Sequence, residues 1–272
     1  FPVQMPRADS RTTAQRLESL CGEVDMAQQI VRVAATKCTT PFDLFMIRYC
    51  EFVDKFKRKR NGDDVIMPAE SLEGLLSPLV STEANTVNWE HESVLRINFA
   101  KIAVLVVKVL RHHFGEIPTS SSSSNEWLNS LPRMIATQLQ MIEITAHACT
   151  EPFDVFMVRF CETVDTVVSA LVDRTIALPT DWMRGLLVAH EKAVATLDCR
   201  IQNVLRINFA ILAIFALNLV RLEILGNPLL LNQRTGEGSV EASSSKNSTR
   251  ECDTSEDETN EPPEADESNE PP

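Results

Sequence analysis

Apolar residues recur along most of this chain at intervals of three and four. In Thr39 to Arg60, TTPFDLFMIRYCEFVDKFKRKR, the positions Phe42, Phe45, Met46, Tyr49, Cys50, Val53 and Phe56 form one stripe, the pattern of a helix that turns one face to a core. Thr150 to Leu171, TEPFDVFMVRFCETVDTVVSAL, carries the same stripe at Phe153, Phe156, Met157, Phe160, Cys161, Val164 and Val168. Thr39 and Thr150 are placed to cap these helices, and Pro41 and Pro152 suit a first turn where no hydrogen bond is lost. Asp43 and Asp154 set a negative charge by the positive end of the helix dipole. A helix-bundle core is favoured over a ligand box, since both copies carry the stripe.

The stripe is one of two repeats. From Pro41 to Asp54, ten of fourteen positions are identical to Pro152 to Asp165, and Val94 to Ala100, VLRINFA, recurs letter for letter as Val204 to Ala210. The offsets are 111 and 110 residues, the mark of a tandem duplication. Around these anchors the periodicity predicts four helices per copy. In the first they cover about Thr12 to Lys37, Thr39 to Arg60 with a stop at Asn61-Gly62, a stretch from Pro68 interrupted at Pro78, and about Asn88 to Phe114. In the second they cover Glu126 to Ala148, the duplicated helix to Leu178-Pro179, a third from Thr180-Asp181, and about Arg200 to Leu225. The expectation is an all-α protein of two tandem up-down four-helix-type bundles: an extended lead-in at 1–10, units at 11–116 and 126–232, and a Ser-rich linker at 117–125. Stripe width does not show whether the units pack on each other; a shared core would make one domain of eight helices.

Composition adds to this picture. The chain has 272 residues, 44% of them hydrophobic and only 8 of them Gly, ample for one or two cores and suited to helices. Residues 233–272 hold twelve Asp and Glu against Arg234, Lys246 and Arg250, a net of −9, which leaves −3 of the total −12 for everything before them. That stretch reads as a disordered acidic tail, solubilising or regulatory, with Thr254 and Ser255 as phosphorylation candidates ahead of Glu256-Asp257-Glu258. The preceding part has no global basic field, so no direct nucleic-acid partner is expected. The seven cysteines show no zinc spacing. Cys38, Cys50, Cys149 and Cys161 fall at duplicated positions and read as small buried hydrophobes of a reducing compartment, with Cys38–Cys50 and Cys149–Cys161 bridges as the alternative. The chain opens at Phe1 and reads as a fragment or a processed form.

Lys55, Lys57, Arg58, Lys59 and Arg60 form the one dense basic run. Bases at a helix C-terminus complement the dipole, yet the aligned TVVSAL of the second copy has none. A nuclear-import signal, ahead of an acidic-partner or phosphate patch, is the favoured reading. Phe209 to Val220, FAILAIFALNLV, is shorter than the roughly twenty apolar residues of a membrane span, and a buried central helix is favoured over insertion. Asp43, Arg48, Glu51, Arg96 and Asn98 recur as Asp154, Arg159, Glu162, Arg206 and Asn208. They read as interhelical ion pairs and caps holding the bundle in register. No residues are assigned to catalysis, a metal or a cofactor: the histidines form no HExxH, and no Walker-type or GxGxxG loop is present.

The stretches VLRINFAKIAVLVVKVL (94–110) and EWLNSLPRMIATQLQMIEI (126–144) resemble the C-terminal bundle of the cyclin-D-binding proteins. FCETVDTVVSALVDRTIALPTDWMRGLL (160–187) resembles a helix pair of that family's N-terminal bundle. The resemblance covers about half the chain and rests on Arg96, Ile97, Asn98, Trp127, Cys161 and Glu162. It implies a talin- or vinculin-type bundle fold and a regulator of cell-cycle or transcription factors. The implied partners are D-type cyclins or helix-loop-helix factors, met in cytoplasm and nucleus. A cytoskeletal or adhesion adaptor of talin, vinculin or α-catenin type, and a membrane-surface or lipid-binding helical protein, are the alternatives.

Overall fold

Helices follow the apolar stripes. The computed structural model describes residues 11–67, 91–114, 123–173, 175–196 and 200–226, with residues 74, 76, 79 and 198 between them. The acidic stretch with Thr254 and Ser255, and most of the third predicted helix, lie outside the described residues. Within them the secondary structure is helical and no strand occurs.

Among the described residues eight α-helices can be bounded, in order α1 Thr13–Gly22, α2 Val24–Ala35, α3 Pro41–Arg60, α4 His91–His113, α5 Ser123–Ala146, α6 Pro152–Val172, α7 Arg184–Ala195 and α8 Ile201–Val220. A π-helical turn, Arg221–Leu225, completes α8. The helix expected from Thr12 to Lys37 is two helices, because the Glu23 amide bonds back to Leu20 and the chain turns at Glu23. A reciprocal capping box between Thr12 and Gln15 starts α1. The caps of the duplicated helices fall one residue later than expected. Thr40, rather than Thr39, accepts from the Asp43 amide, and Glu151, rather than Thr150, holds the equivalent place on α6 without a side-chain bond. Pro41 and Pro152 then sit in the first turn. Gly62, at φ +90°, supplies the left-handed residue that stops α3.

The question of a shared core is settled by the packing. Buried residues of both copies form one continuous cluster, in which the copies exchange partners. Helix α8 lies chiefly against α2 and α3 of the first copy, α4 lies chiefly against α5 and α6 of the second, and α4 and α8 touch each other. Each copy's opening helices therefore close around the other copy's last helix. Every residue from Asn208 to Val220 is buried, which is why this stretch has no polar face.

Aromatic rings mark the crossing. Phe99 of α4 meets Phe42 of its own copy at 6.2 Å and Phe160 of the other at 5.2 Å. Phe209 of α8 meets Phe153 of its own copy at 6.4 Å and Tyr49 of the other at 5.4 Å. Such ring pairs contribute about 0.5–1.5 kcal/mol each beyond the area they bury.

Candidate interaction surfaces

The basic run forms the last turns of α3, and Lys55, Lys57, Arg58 and Arg60 have acidic or carbonyl partners nearby. Lys55 Nζ donates to the Ile66 carbonyl at 3.2 Å. Lys57 pairs with Asp25 of α2, Arg58 Nε with Asp63 at 3.0 Å, and Arg60 Nε with Glu223 of the π turn at 2.7 Å. Phe56 between them is fully buried. The second copy lacks both sides of the Lys57 pair: Ala136 stands where the first copy has Asp25. Charge and counter-charge thus differ together between the copies, a relation that sequence spacing did not expose.

The duplicated polar residues act within helices more than between them. Arg48 pairs with Glu51 at 2.8 Å and Arg159 with Glu162 at 2.6 Å, each three residues on along one exposed helix face, and Arg96 pairs with Glu92 one turn back on α4. Asn98 and Asn208, both buried, donate to the carbonyls of Val94 and Val204 at 2.7 Å. This side-chain bond to the preceding turn lets an amide sit in an apolar helix. Contact between helices comes from the arginines, for Arg96 lies 5.5 Å over the Phe42 ring and Arg206 5.6 Å over Phe153. Asp154, at the start of α6, is held above the usual carboxylate range by burial, against the pull of Arg96 and Arg206.

The described cysteines are thiols. Cys38, Cys50, Cys149 and Cys161 are buried and unbridged, and burial pushes Cys50 and Cys161 well above the ordinary thiol range. That suppresses thiolate chemistry. Among the described residues no three His, Cys, Asp or Glu side chains gather as metal ligands. His190 of α7 is buried, its Nε2 has no hydrogen-bond partner, and burial lowers its pKa to about 4.

One surface feature escaped the sequence reading. Met134, Met141 and Ile144 lie on one face of α5 at spacings of seven and three, and are 38%, 40% and 61% exposed. Val33, the counterpart of Ile144 in the first copy, is 66% exposed on α2 beside Met26 at 56%. Leu131, Ile135 and Ile142, on the other side of α5, are buried. The helix therefore has an outward apolar strip besides its core face, and the strip's moderate width hid it within the general stripe. The helix 201–225 is long and apolar enough to cross a membrane, with a mean hydropathy of 1.9 over its most apolar window. Of that window 78% is buried inside the protein, so α2, α3 and α4 take up the surface lipid would need. No protein-family model, curated protein or solved structure matches the chain.

Proposed function

We propose that this chain is a non-enzymatic protein-interaction module that docks a partner helix on the outward strip of α5. The observation that carries this reading is the exposed Met134–Met141–Ile144 row. Its spacing suits the anchors of a helix laid alongside another, and methionine adapts to varied partner surfaces. The row lies in 126–144, one of the stretches that resembles the cyclin-D-binding proteins. D-type cyclins and helix-loop-helix factors are therefore the first partners to test. On this reading the two sequence repeats are copies of one helical unit, the terminal acidic stretch is a solvated tail, and the protein works in cytoplasm and nucleus.

The test is binding of a purified D-type cyclin, and separately of a helix-loop-helix domain, to the full chain. The comparison is Met141→Glu/Ile144→Glu. Both side chains are substantially exposed, so the variant is expected to fold normally while affinity falls at least about tenfold. Equal binding by the folded variant would exclude the strip as the docking face. Absence of binding by the unaltered chain to either partner would reject the resemblance as a guide to function.

A further inference from the structure

Two adjoining cavities open where α1, residues 175–183 and the π-helical end of α8 meet. The larger, of about 540 Å³, is walled by Ala170, Ile176, Leu178, Pro179 and Leu225 among others. The smaller, of about 340 Å³, continues toward Leu17, Cys21, Arg60, Phe215 and Asn218. Ala14, Thr180, Trp182, Arg221 and Leu222 line both. Volumes of this size suit small organic ligands.

Two buried polar groups on the linings, one donor and one acceptor, lack hydrogen-bond partners. Arg221 Nε–H is buried and donates to nothing. Arg60, the other lining cation, is occupied by Glu223 at 2.7 Å. Asn218 donates its Nδ2 to Cys21 Sγ at 3.5 Å, which leaves its buried Oδ1 without a donor. Glu18 is exposed at the rim. An unpaired buried donor costs about 1–3 kcal/mol, and a guanidinium fork is matched by a planar carboxylate. The backbone at Arg221 is wound as a π turn. The Gly226 amide bonds to the Arg221 carbonyl at 2.8 Å to close the π turn, and a Cβ at Gly226 would stand 3.0 Å from the Leu222 carbonyl oxygen.

We propose that this double cavity binds a small amphipathic carboxylate, with its head on Arg221 and its apolar body along Ile176, Leu178, Trp182 and Leu225. Asn218 Oδ1 offers an acceptor to a hydroxyl near the head. The site uses none of the α5 strip residues and is independent of the docking reading.

Isothermal titration of the full chain with dodecanoate, below its micelle concentration, tests this against dodecyltrimethylammonium. Dodecanoate is expected to bind with a Kd on the order of micromolar, and the cation at least about tenfold more weakly. Arg221→Gln is expected to weaken dodecanoate at least about tenfold, as loss of a charge-assisted bond does. Leu222→Glu, which sets a carboxylate on both linings, should act likewise and serves if Arg221→Gln does not fold. No binding of dodecanoate to the unaltered chain, equal binding of the cation, or undiminished binding by either folded variant overturns the proposal.

Discussion

Phe99 and Phe209 meet edge to face, their centroids 5.8 Å apart and their planes at 71°. They hold corresponding places in the two VLRINFA repeats, so the identical segments touch each other where the two copies cross. Both rings are fully buried. Phe99→Ala and Phe209→Ala are each expected to cost about 3–5 kcal/mol. In the double variant the losses should depart from additivity by about 0.5–3 kcal/mol, because the rings share neighbours. Denaturant unfolding of the four proteins measures this; strict additivity would mean that the pair is not a coupled element.

Tyr49 and Phe160 differ by one hydroxyl at equivalent places, and only Tyr49 pays for it. Its oxygen is buried with no hydrogen-bond partner, and burial pushes the phenol pKa far up. Tyr49→Phe removes the hydroxyl and keeps the ring contacts, so it is expected to stabilise the fold by about 1 kcal/mol or more. A lowered thermal midpoint would show that the hydroxyl has a partner.

Acid should weaken the fold through His190. With a folded pKa of about 4 below the ordinary value of about 6.5, the unfolded chain takes up a proton first as pH falls. Stability from this group is whole above pH 6.5 and is lost progressively down to pH 4, by about 3 kcal/mol in all. His190→Leu should be less acid-sensitive than the unaltered chain between those limits. Parallel urea titrations at pH 7.5 and 4.5 supply the comparison, and identical pH dependence would remove His190 as the cause.

If the basic end of α3 directs nuclear import, replacing Lys57 to Arg60 with alanine should reduce nuclear accumulation of a tagged chain. The Lys57, Arg58 and Arg60 ion pairs are partly exposed, so each loss should cost less than about 1 kcal/mol and leave the fold intact. Unchanged distribution of the folded variant would remove the import reading and leave the run as a clamp of α3 onto α2 and the π turn.

Much of this architecture is legible in the residues, and the limit of legibility has a physical cause. The stripes from Phe42 to Phe56 and from Phe153 to Val168 place α3 and α6 because a buried helix face must repeat with the helical turn. Asn61-Gly62 marks the end of α3 through the conformation only glycine adopts cheaply. A stripe says which face is buried but not what buries it, so the exchange of α4 and α8 between copies could not be read. The break at Glu23 is a turn of one residue within an unbroken apolar pattern. Arg60 lies far in sequence from Glu223, and Arg221 lies in a helix end whose widening leaves no sequence period.

The crossing also fixes an order of events during synthesis. When the first copy has left the ribosome, α2 and α3 exist but α8, their main neighbour, has not yet been made. The apolar faces of α2 and α3 stay wet until residues 201–220 emerge, about a hundred residues later. Contacts of such sequence separation slow folding and lengthen the exposure of sticky surface. A nascent chain stalled before α8 should therefore attract chaperones, and the emergence of α8 is what covers the faces of α2 and α3.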